Sequence, residues 1–381
     1  MEIFNRILNI QLPKHQSAFL WGPRKVGKSH WIKHHLPQAI IIDFLKTDVF
    51  ADFISRPSLL RERYANVQAM IVIDEVQMVP DILNEVHWLI ENHKISFLLT
   101  GSSPRKLRRT HANLLGGRAW RYTMTPLCYP EISQFDFNIE QVIISGLLPS
   151  HFQSTDPIQD CRAYIADYLK EEIAAEAVVQ NIPAFSEFLH VAALCSGELM
   201  NYTNIARETG VSAKIVRNYF QILEDTLLGY RLQPWRKTSD RRLIETEKFY
   251  LFDVGVSNYL ARRKPQFSTP EFGKSFEHFI LMELKAYQAY RDPELPLHYW
   301  RTSSGLEVDF ILGEMEIAIE VKTSKRIDST HAKGLKALAE SHTLKRLILI
   351  SFEAESKVMT GNIECLTWQD FLAQLWAGEI I

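Results

Sequence analysis

Gly22-Pro23-Arg24-Lys25-Val26-Gly27-Lys28-Ser29 decides how this 381-residue chain is read. It follows the pattern G-x-x-x-x-G-K-[ST], with the apolar run Ser17-Ala-Phe-Leu-Trp21 before it and a helix-like stretch after it, which is the context the pattern requires. The glycines let backbone N–H groups close around phosphate oxygens at the positive end of a helix. Lys28 then reaches the β- and γ-phosphates of ATP, and the Ser29 hydroxyl ligates Mg²⁺. A chance loop with these residues would not combine strand, glycines, Lys-Ser and helix.

Downstream, Met70-Ile-Val-Ile-Asp74-Glu75 is an apolar strand that ends in two carboxylates. Such a pair holds Mg²⁺ through its aspartate and activates the attacking water through its glutamate. Asp74 is therefore the expected magnesium residue and Glu75 the expected base. A further apolar strand ends in Thr100-Gly101-Ser102-Ser103. Ser102 or Ser103 would orient the water if that strand is central, although Gly-Ser is also an ordinary turn pair. Arg118, in Leu115-Gly-Gly-Arg118, is either an arginine finger for a neighbouring subunit or a surface arginine.

Working outward, residues 17–21, 39–44, 70–73 and 95–100 are short apolar runs separated by helical lengths. They predict buried parallel strands with crossover helices, a doubly wound sheet. From about 156 to 228 the pattern is helical. Strand-like runs return at 249–252, 298–300, 308–312, 317–321 and 346–350, around a helical stretch at 274–290. The fold class expected is α/β in three parts: a P-loop parallel-sheet domain at 1–150, a helical, winged-helix middle at 151–235, and a second α/β domain at 236–381.

GPRKVGKS, IDEVQMVP, LLTGSS, LLGGR and TPLCYPEI together resemble the prokaryotic AAA+ ATPases that pair an ATPase domain with a C-terminal domain of unknown function of the DUF4143 type. The similarity continues through FDVG at Asp253, GKSFEHFILMEL, YWRTSSGLEVDF and IEVK, so it covers nearly the whole chain. Ser29 replaces the threonine more usual in that family and keeps the hydroxyl. The resemblance implies ATP hydrolysis and homo-oligomeric rings, such as hexamers.

In the middle, Tyr202 to Leu223 reads as helix, tight turn at Gly210, and a second helix capped by Ser212, with Val216 and Leu223 inward and Ala206 and Gly210 allowing close approach. Lys214, Arg217 and Asn218 are then free to face a DNA duplex, unless the module serves only packing or assembly. A hairpin after Leu228 would complete a winged helix.

Near the C-terminus come Glu307-Val-Asp309-Phe-Ile-Leu, a short turn at Gly313-Glu314, and Ala318-Ile-Glu320-Val-Lys322. Asp309 with Glu320-x-Lys322 resembles the D…E-x-K core of restriction-endonuclease-like nucleases, with Glu277 in the matching place on a preceding helix. Two adjacent strands bring Asp309 and Glu320 together around a divalent metal, and alternation puts Glu320 and Lys322 on one face. Glu277, Asp309 and Glu320 are the expected metal residues, and Lys322 the one that positions water. Tyr299 and Trp300 are expected in sheet packing.

The net charge of −2 gives no global attraction to nucleic acid, so DNA contact must be local, as at residues 105–109 or 231–242. The four cysteines make neither a zinc pattern nor a disulfide framework, and buried, reduced thiols are expected. No apolar run approaches the roughly 18 residues of a membrane helix, so a soluble, cytoplasmic protein is expected. These features point to an ATP-hydrolysing protein that binds and processes DNA through a metal-dependent nuclease-like domain. The alternative is a regulatory ATPase switch that binds DNA or protein partners without cutting.

Overall fold

The computed structural model describes residues 4–105, 107, 115–135, 137–169, 181–236 and 246–381. By contact the chain divides into two units, Ile3–Leu127 with Gln221–Leu228, and Cys128–Phe220 with Gly229–Ile381. The divisions expected after residues 150 and 235 do not coincide with these units. Residues 139–147 are tied within the second unit, because Asn258 Nδ2 donates to the Ile143 carbonyl at 2.9 Å and Leu147 N to Asp253 Oδ2 at 2.7 Å. The chain from Gly229 onward pairs into the C-terminal sheet.

The first unit is built on strands β1 (Ser17–Trp21), β2 (Ile40–Asp43), β3 (Ile71–Asp74), β4 (Phe97–Gly101) and β5 (Ala119–Thr123). Their spatial order is β2-β3-β4-β1-β5, and every pairing is parallel. β1, β3 and β4 are buried along their whole length, as continuous apolar runs covered on both faces must be. β5 was not legible: Ala-Trp-Arg-Tyr-Thr is half polar because it is an edge strand, with Trp120 exposed. Inserting β4 between β1 and β3 separates the phosphate loop from the Asp74-Glu75 strand and leaves the end of β4 between them.

The second unit carries an eight-stranded sheet in the order β12-β13-β11-β10-β9-β8-β6-β7. Its strands are β6 (Gly229–Pro234), β7 (Lys248–Leu251), β8 (Leu297–Arg301), β9 (Glu307–Leu312), β10 (Ile317–Val321), β11 (Arg346–Ser351), β12 (Lys357–Met359) and β13 (Ile363–Thr367). Helix Pro270–Tyr290, capped by Thr269 and opened by a proline, leads to the antiparallel meander β8-β9-β10. The turn from β9 to β10 places Gly313 at φ 66° and Met315 at φ 64°. Helix Lys333–Ser341 then returns the chain to β11, parallel to β10. Its Leu335 and Leu338 are buried with Trp300, Val308 and Ala318, each such side chain contributing about 1.5–3 kcal/mol. The paired strands β12 and β13 and the last helix, Trp368–Ala377, were not anticipated.

Helices Ile182–Leu194, Tyr202–Thr209 and Ala213–Asp225 precede the antiparallel pair β6-β7, and Leu199 makes an antiparallel bridge to Lys248. The Ser212 cap is present, its Oγ accepting from Ile215 N at 3.3 Å, and Val216 and Leu223 are buried. Gly210 differs from expectation. It is needed for its φ of 67°, and the space where a Cβ would sit is open, so it does not serve close packing. Cys128, Cys161 and Cys365 are buried thiols outside any disulfide, while Cys195 is only partly buried. No helix among the described residues is long and apolar enough to cross a membrane.

Candidate functional site

The phosphate loop runs from the end of β1 into helix Lys28–His35. Its bend places Lys25 at φ 63° and Gly27, the helix cap, at φ 101°. Gly22 is required for another reason: a Cβ there would sit 2.5 Å from the Met124 carbonyl oxygen. Lys28 is buried and folds back on its own loop, donating to the carbonyls of Gly22 at 2.6 Å and Pro23 at 3.1 Å. Arg24 is half-buried and Lys25 exposed, whereas Val26 is enclosed. Arg6 braces the loop: it donates to Val26 O, to Thr125 O at 2.8 Å and to Pro126 O at 3.3 Å. No motif pointed to Arg6, since its partners lie far away in sequence.

Ser29 Oγ donates to Asp74 Oδ2 at 2.9 Å, and Thr100 Oγ1 donates to the other oxygen, Oδ1. The expected magnesium ligands are thus adjacent, joined by the end of β4. Glu75 lies in the left-handed region, φ 57°, and takes a hydrogen bond from Gln77 Nε2, which also donates to Ser102 Oγ at 3.2 Å. Gly101 leaves room for this link, because a Cβ there would meet Gln77 Oε1 at 2.2 Å. Gln77 was not singled out in the sequence, although it stands two positions after Glu75. Ser103 turns elsewhere, donating to the Asp225 carbonyl at 3.1 Å, while Arg105 pairs with the Asp225 carboxylate.

Arg118 precedes β5, and the register Ser17↔Ala119, Trp21↔Thr123 puts it at the end of the sheet opposite its own phosphate loop. There its side chain is part-exposed and paired with Glu91. Of the basic clusters noted above, Lys106, Arg108, Arg109, Lys237, Arg241 and Arg242 lie outside the described residues.

A second site lies in the C-terminal sheet. The β9-β10 register pairs Phe310 with Ile319, so Asp309 and Glu320 stand opposite one another one residue further on. Both are 7% exposed. Asp309 Oδ2 accepts from Val321 N at 2.7 Å, and Lys322 Nζ donates to Glu320 Oε1 from the same face. Glu320 Oε2 is buried without a hydrogen-bond partner. Burial, then the charges of Glu320 and Glu277, hold the Asp309 carboxyl well above the usual range. Burial also pushes Glu320 up to about 7, against the pull of Lys322 and with a further push from Glu277 and Glu307. Gly334 permits helix Lys333–Ser341 to ride over this point, since a Cβ would strike the Glu307 carbonyl oxygen at 1.9 Å.

Glu277 comes from helix Pro270–Tyr290 and is close enough to raise both acids, but its carboxylate is occupied. It accepts from Tyr250 Oη at 2.6 Å and faces Lys248 Nζ at 3.4 Å. Lys248, which no sequence signal marked, also pairs with Glu307 Oε1, while Arg301 holds Glu307 Oε2. Tyr299 and Trp300 are buried, as expected of sheet residues. Among the described residues no group of three or more His, Cys, Asp and Glu side chains is assembled to hold a metal. Asp309 and Glu320 nevertheless fit a divalent cation, because two buried acids that repel each other, one with an unpartnered oxygen, are what a 2+ charge relieves.

Comparison with known proteins divides the chain in three. Residues 14–133 match the AAA domain family, residues 136–266 a domain of unknown function (DUF8612), and residues 272–371 another (DUF4143). The chain therefore carries an AAA-type P-loop ATPase domain followed by DUF4143. Uncharacterised proteins of Mycobacterium bovis and Mycobacterium tuberculosis are each 26% identical to it over 304 residues, 77% of this chain and 66% of theirs. The chain thus spans just under two thirds of these relatives. An uncharacterised protein of Methanocaldococcus jannaschii is 21% identical over 405 residues, covering 96% of this chain and 89% of that protein. Among solved structures, the ORC1 protein of Aeropyrum pernix in complex with DNA matches at 13% identity and a TM-score of 0.26, over 65% of this chain and 86% of that one. That likeness is too slight to bear on fold or ligand.

Proposed function

We propose that this chain is an ATP-hydrolysing protein that acts on DNA, and that its C-terminal sheet is a restriction-endonuclease-like domain with a divalent-cation-dependent phosphodiesterase site. The observation that carries the second half is the placement of Asp309 opposite Glu320, with an unpartnered Oε2 and Lys322 beside it. The order helix, three antiparallel strands, helix, parallel strand around these residues agrees with that reading.

In the ATPase unit, Lys28 and the loop N–H groups hold the β- and γ-phosphates, Ser29 and Asp74 hold Mg²⁺, and Glu75 takes the proton of the attacking water. Gln77 and Ser102 orient Glu75. Arg118 serves a neighbouring subunit in a homo-oligomeric ring, its exposure at the far end of the sheet leaving it accessible to one. The three helices with β6 and β7 form a winged helix. There Lys214, Arg217 and Asn218 are exposed for duplex contact, Arg217 resting 4.8 Å from the Tyr202 ring centre. In the C-terminal site Asp309 and Glu320 hold the cation and Lys322 positions water or the phosphate. A divalent cation held there would supply positive charge for phosphodiester hydrolysis.

A regulatory switch without cleavage is the second reading, favoured by the engagement of Glu277 with Tyr250 and Lys248. Phosphate release, gel shifts and cleavage on single-stranded, duplex and branched DNA, with Mg²⁺ or Mn²⁺ and with or without ATP, test both. Metal-dependent cuts support the first reading. DNA binding with ATP turnover but no cuts supports the second, and no turnover under any condition ends the ATPase reading.

A further inference from the structure

The Asp309–Glu320 pair lies beside a buried cation of the protein's own. Lys248, on β7, has a side chain only 3% exposed and an ammonium shared by Glu277 and Glu307. Its charge also acts on Asp309. Four carboxylates, Glu277, Glu307, Asp309 and Glu320, thus meet three cations, Lys248, Lys322 and Arg301. The formal balance is one negative charge. A divalent ion would turn it to one positive charge with Lys248 in place, and to neutrality with Lys248 gone.

Lys248 is also tethered. Leu199 bridges to it, Gly197 N donates to Phe249 O at 2.8 Å, and Met200 N donates to Glu247 O at 2.9 Å. Tyr202, the first residue of helix Tyr202–Thr209, donates to the Glu247 carboxylate. A shift of β7 that drew the lysine from the acids would therefore carry with it the segment leading into the helix-turn-helix.

We propose that the Lys248 ammonium is a resident cation of this acidic cluster, and that it competes with a divalent ion at Asp309 and Glu320 through a strand held by the helix-turn-helix segment. The proposal rests on the reading of Asp309 and Glu320 as a cation-binding pair. It makes the metal site one whose affinity rises when the Lys248 charge leaves it.

The test is Mn²⁺ binding to the full chain without nucleotide, followed by the electron paramagnetic resonance signal of free Mn²⁺, with Asp309→Asn as the control that defines the site. Lys248→Met and Lys248→Gln, the second keeping donors for Glu277 and Glu307, should each bind Mn²⁺ at the Asp309-dependent site at least about tenfold more tightly than wild type, since one like charge has left a low-dielectric pocket. The same variants should gain more thermal stability from Mn²⁺ than wild type gains. Equal Asp309-dependent affinity in wild type and variants would overturn this inference and leave the cation-pair reading standing. No Asp309-dependent binding in any of them would overturn both. Loss of the folded circular dichroism signal in both variants, with Mn²⁺ present or absent, would make Lys248 a structural counter-ion and overturn the proposal.

Discussion

Ser29 Oγ donates to Asp74 Oδ2 across 2.9 Å, joining the first turn of the phosphate-loop helix to the end of β3. Both groups are oxygens that Mg²⁺ can take, so the proposed ion would find two of its ligands already adjacent. Glu75, the proposed base, sits one residue on, outside this pair and held by Gln77. Binding and turnover are therefore separable. Lys28→Ala removes the ammonium proposed to hold the β- and γ-phosphates and should weaken nucleotide binding, measured by fluorescent-nucleotide titration. Glu75→Gln should bind nucleotide as wild type does and lose turnover by about 10²-fold or more in a phosphate-release assay. Unchanged hydrolysis in both variants would end the assignment.

Arg6 is the second prediction. It is 6% exposed and donates to the carbonyls of Val26, Thr125 and Pro126, the last of which also accepts from Thr125 Oγ1 at 3.0 Å. Arg6→Ala leaves buried acceptors without that donor, and should cost about 2–4 kcal/mol of stability by urea unfolding while slackening the loop around Val26. A variant as stable as wild type, with normal nucleotide affinity, would show that the brace does nothing.

These two predictions differ in how much of them could be read from the chain. Lys28, Ser29, Asp74 and Glu75 announce themselves because phosphate and magnesium chemistry fixes both residue type and spacing. Arg6 and Gln77 do not, because bracing asks only for a donor in reach and tolerates many sequence positions. The same contrast holds in the second unit. Strand alternation exposed Glu320-x-Lys322 and its opposition to Asp309, whereas Lys248 reaches the cluster through tertiary pairing of β7 with the segment at Leu199. β1, β3 and β4 were visible as apolar runs because both their faces are covered, and β2, an edge strand with Ile41 exposed, was visible because its Ile40-Ile41-Ile42 run is apolar all the same, while the edge strand β5, half polar, carried no such signal.

The buried Glu283 predicts a pH dependence. Its carboxylate accepts from Tyr129 N at 2.9 Å and Trp376 Nε1 at 2.8 Å, and burial, with Glu131 nearby, raises it to about 8. The folded state thus holds a proton that the unfolded state releases near the ordinary glutamate value of about 4.5. Stability from this group is present below that value and is lost as pH rises through about 8, at no more than about 1.4 kcal/mol per pH unit. Glu283→Gln should flatten the curve between those limits and exceed wild type in stability at pH 9. Parallel urea-unfolding curves for the two proteins across that range would exclude the titration.

The proposed DNA contact by the exposed face of helix Ala213–Asp225 would have a salt signature. Lys214→Ala with Arg217→Ala removes two phosphate-neutralising charges, so the slope of log K against log salt should fall by about 2, with weaker binding to every sequence alike. Turnover without DNA should not change, since neither side chain belongs to the phosphate loop. An unaltered slope would place the duplex elsewhere on the molecule.

The last prediction separates the two readings of the C-terminal site without relying on a cut. Asp309 pays for burial and for facing Glu320, which is why its folded-state proton affinity is raised. By linkage, a raised acid stabilises at low pH and loses that contribution as pH rises, so ionising the pair destabilises the metal-free protein. Asn keeps an oxygen to accept from Val321 N and carries no charge. Asp309→Asn should therefore match or exceed wild-type stability without metal above neutral pH. A divalent ion reverses the order, because it binds the folded wild type alone. At a concentration 100 times its Kd it adds about 2.7 kcal/mol to the wild type and nothing to the variant. Urea unfolding of both proteins, with and without Mn²⁺, measures all four quantities. Equal metal stabilisation of the two would remove Asp309 from the site, whereas no metal stabilisation of either would leave a charge cluster countered by Lys248, Lys322 and Arg301 alone and favour the regulatory reading.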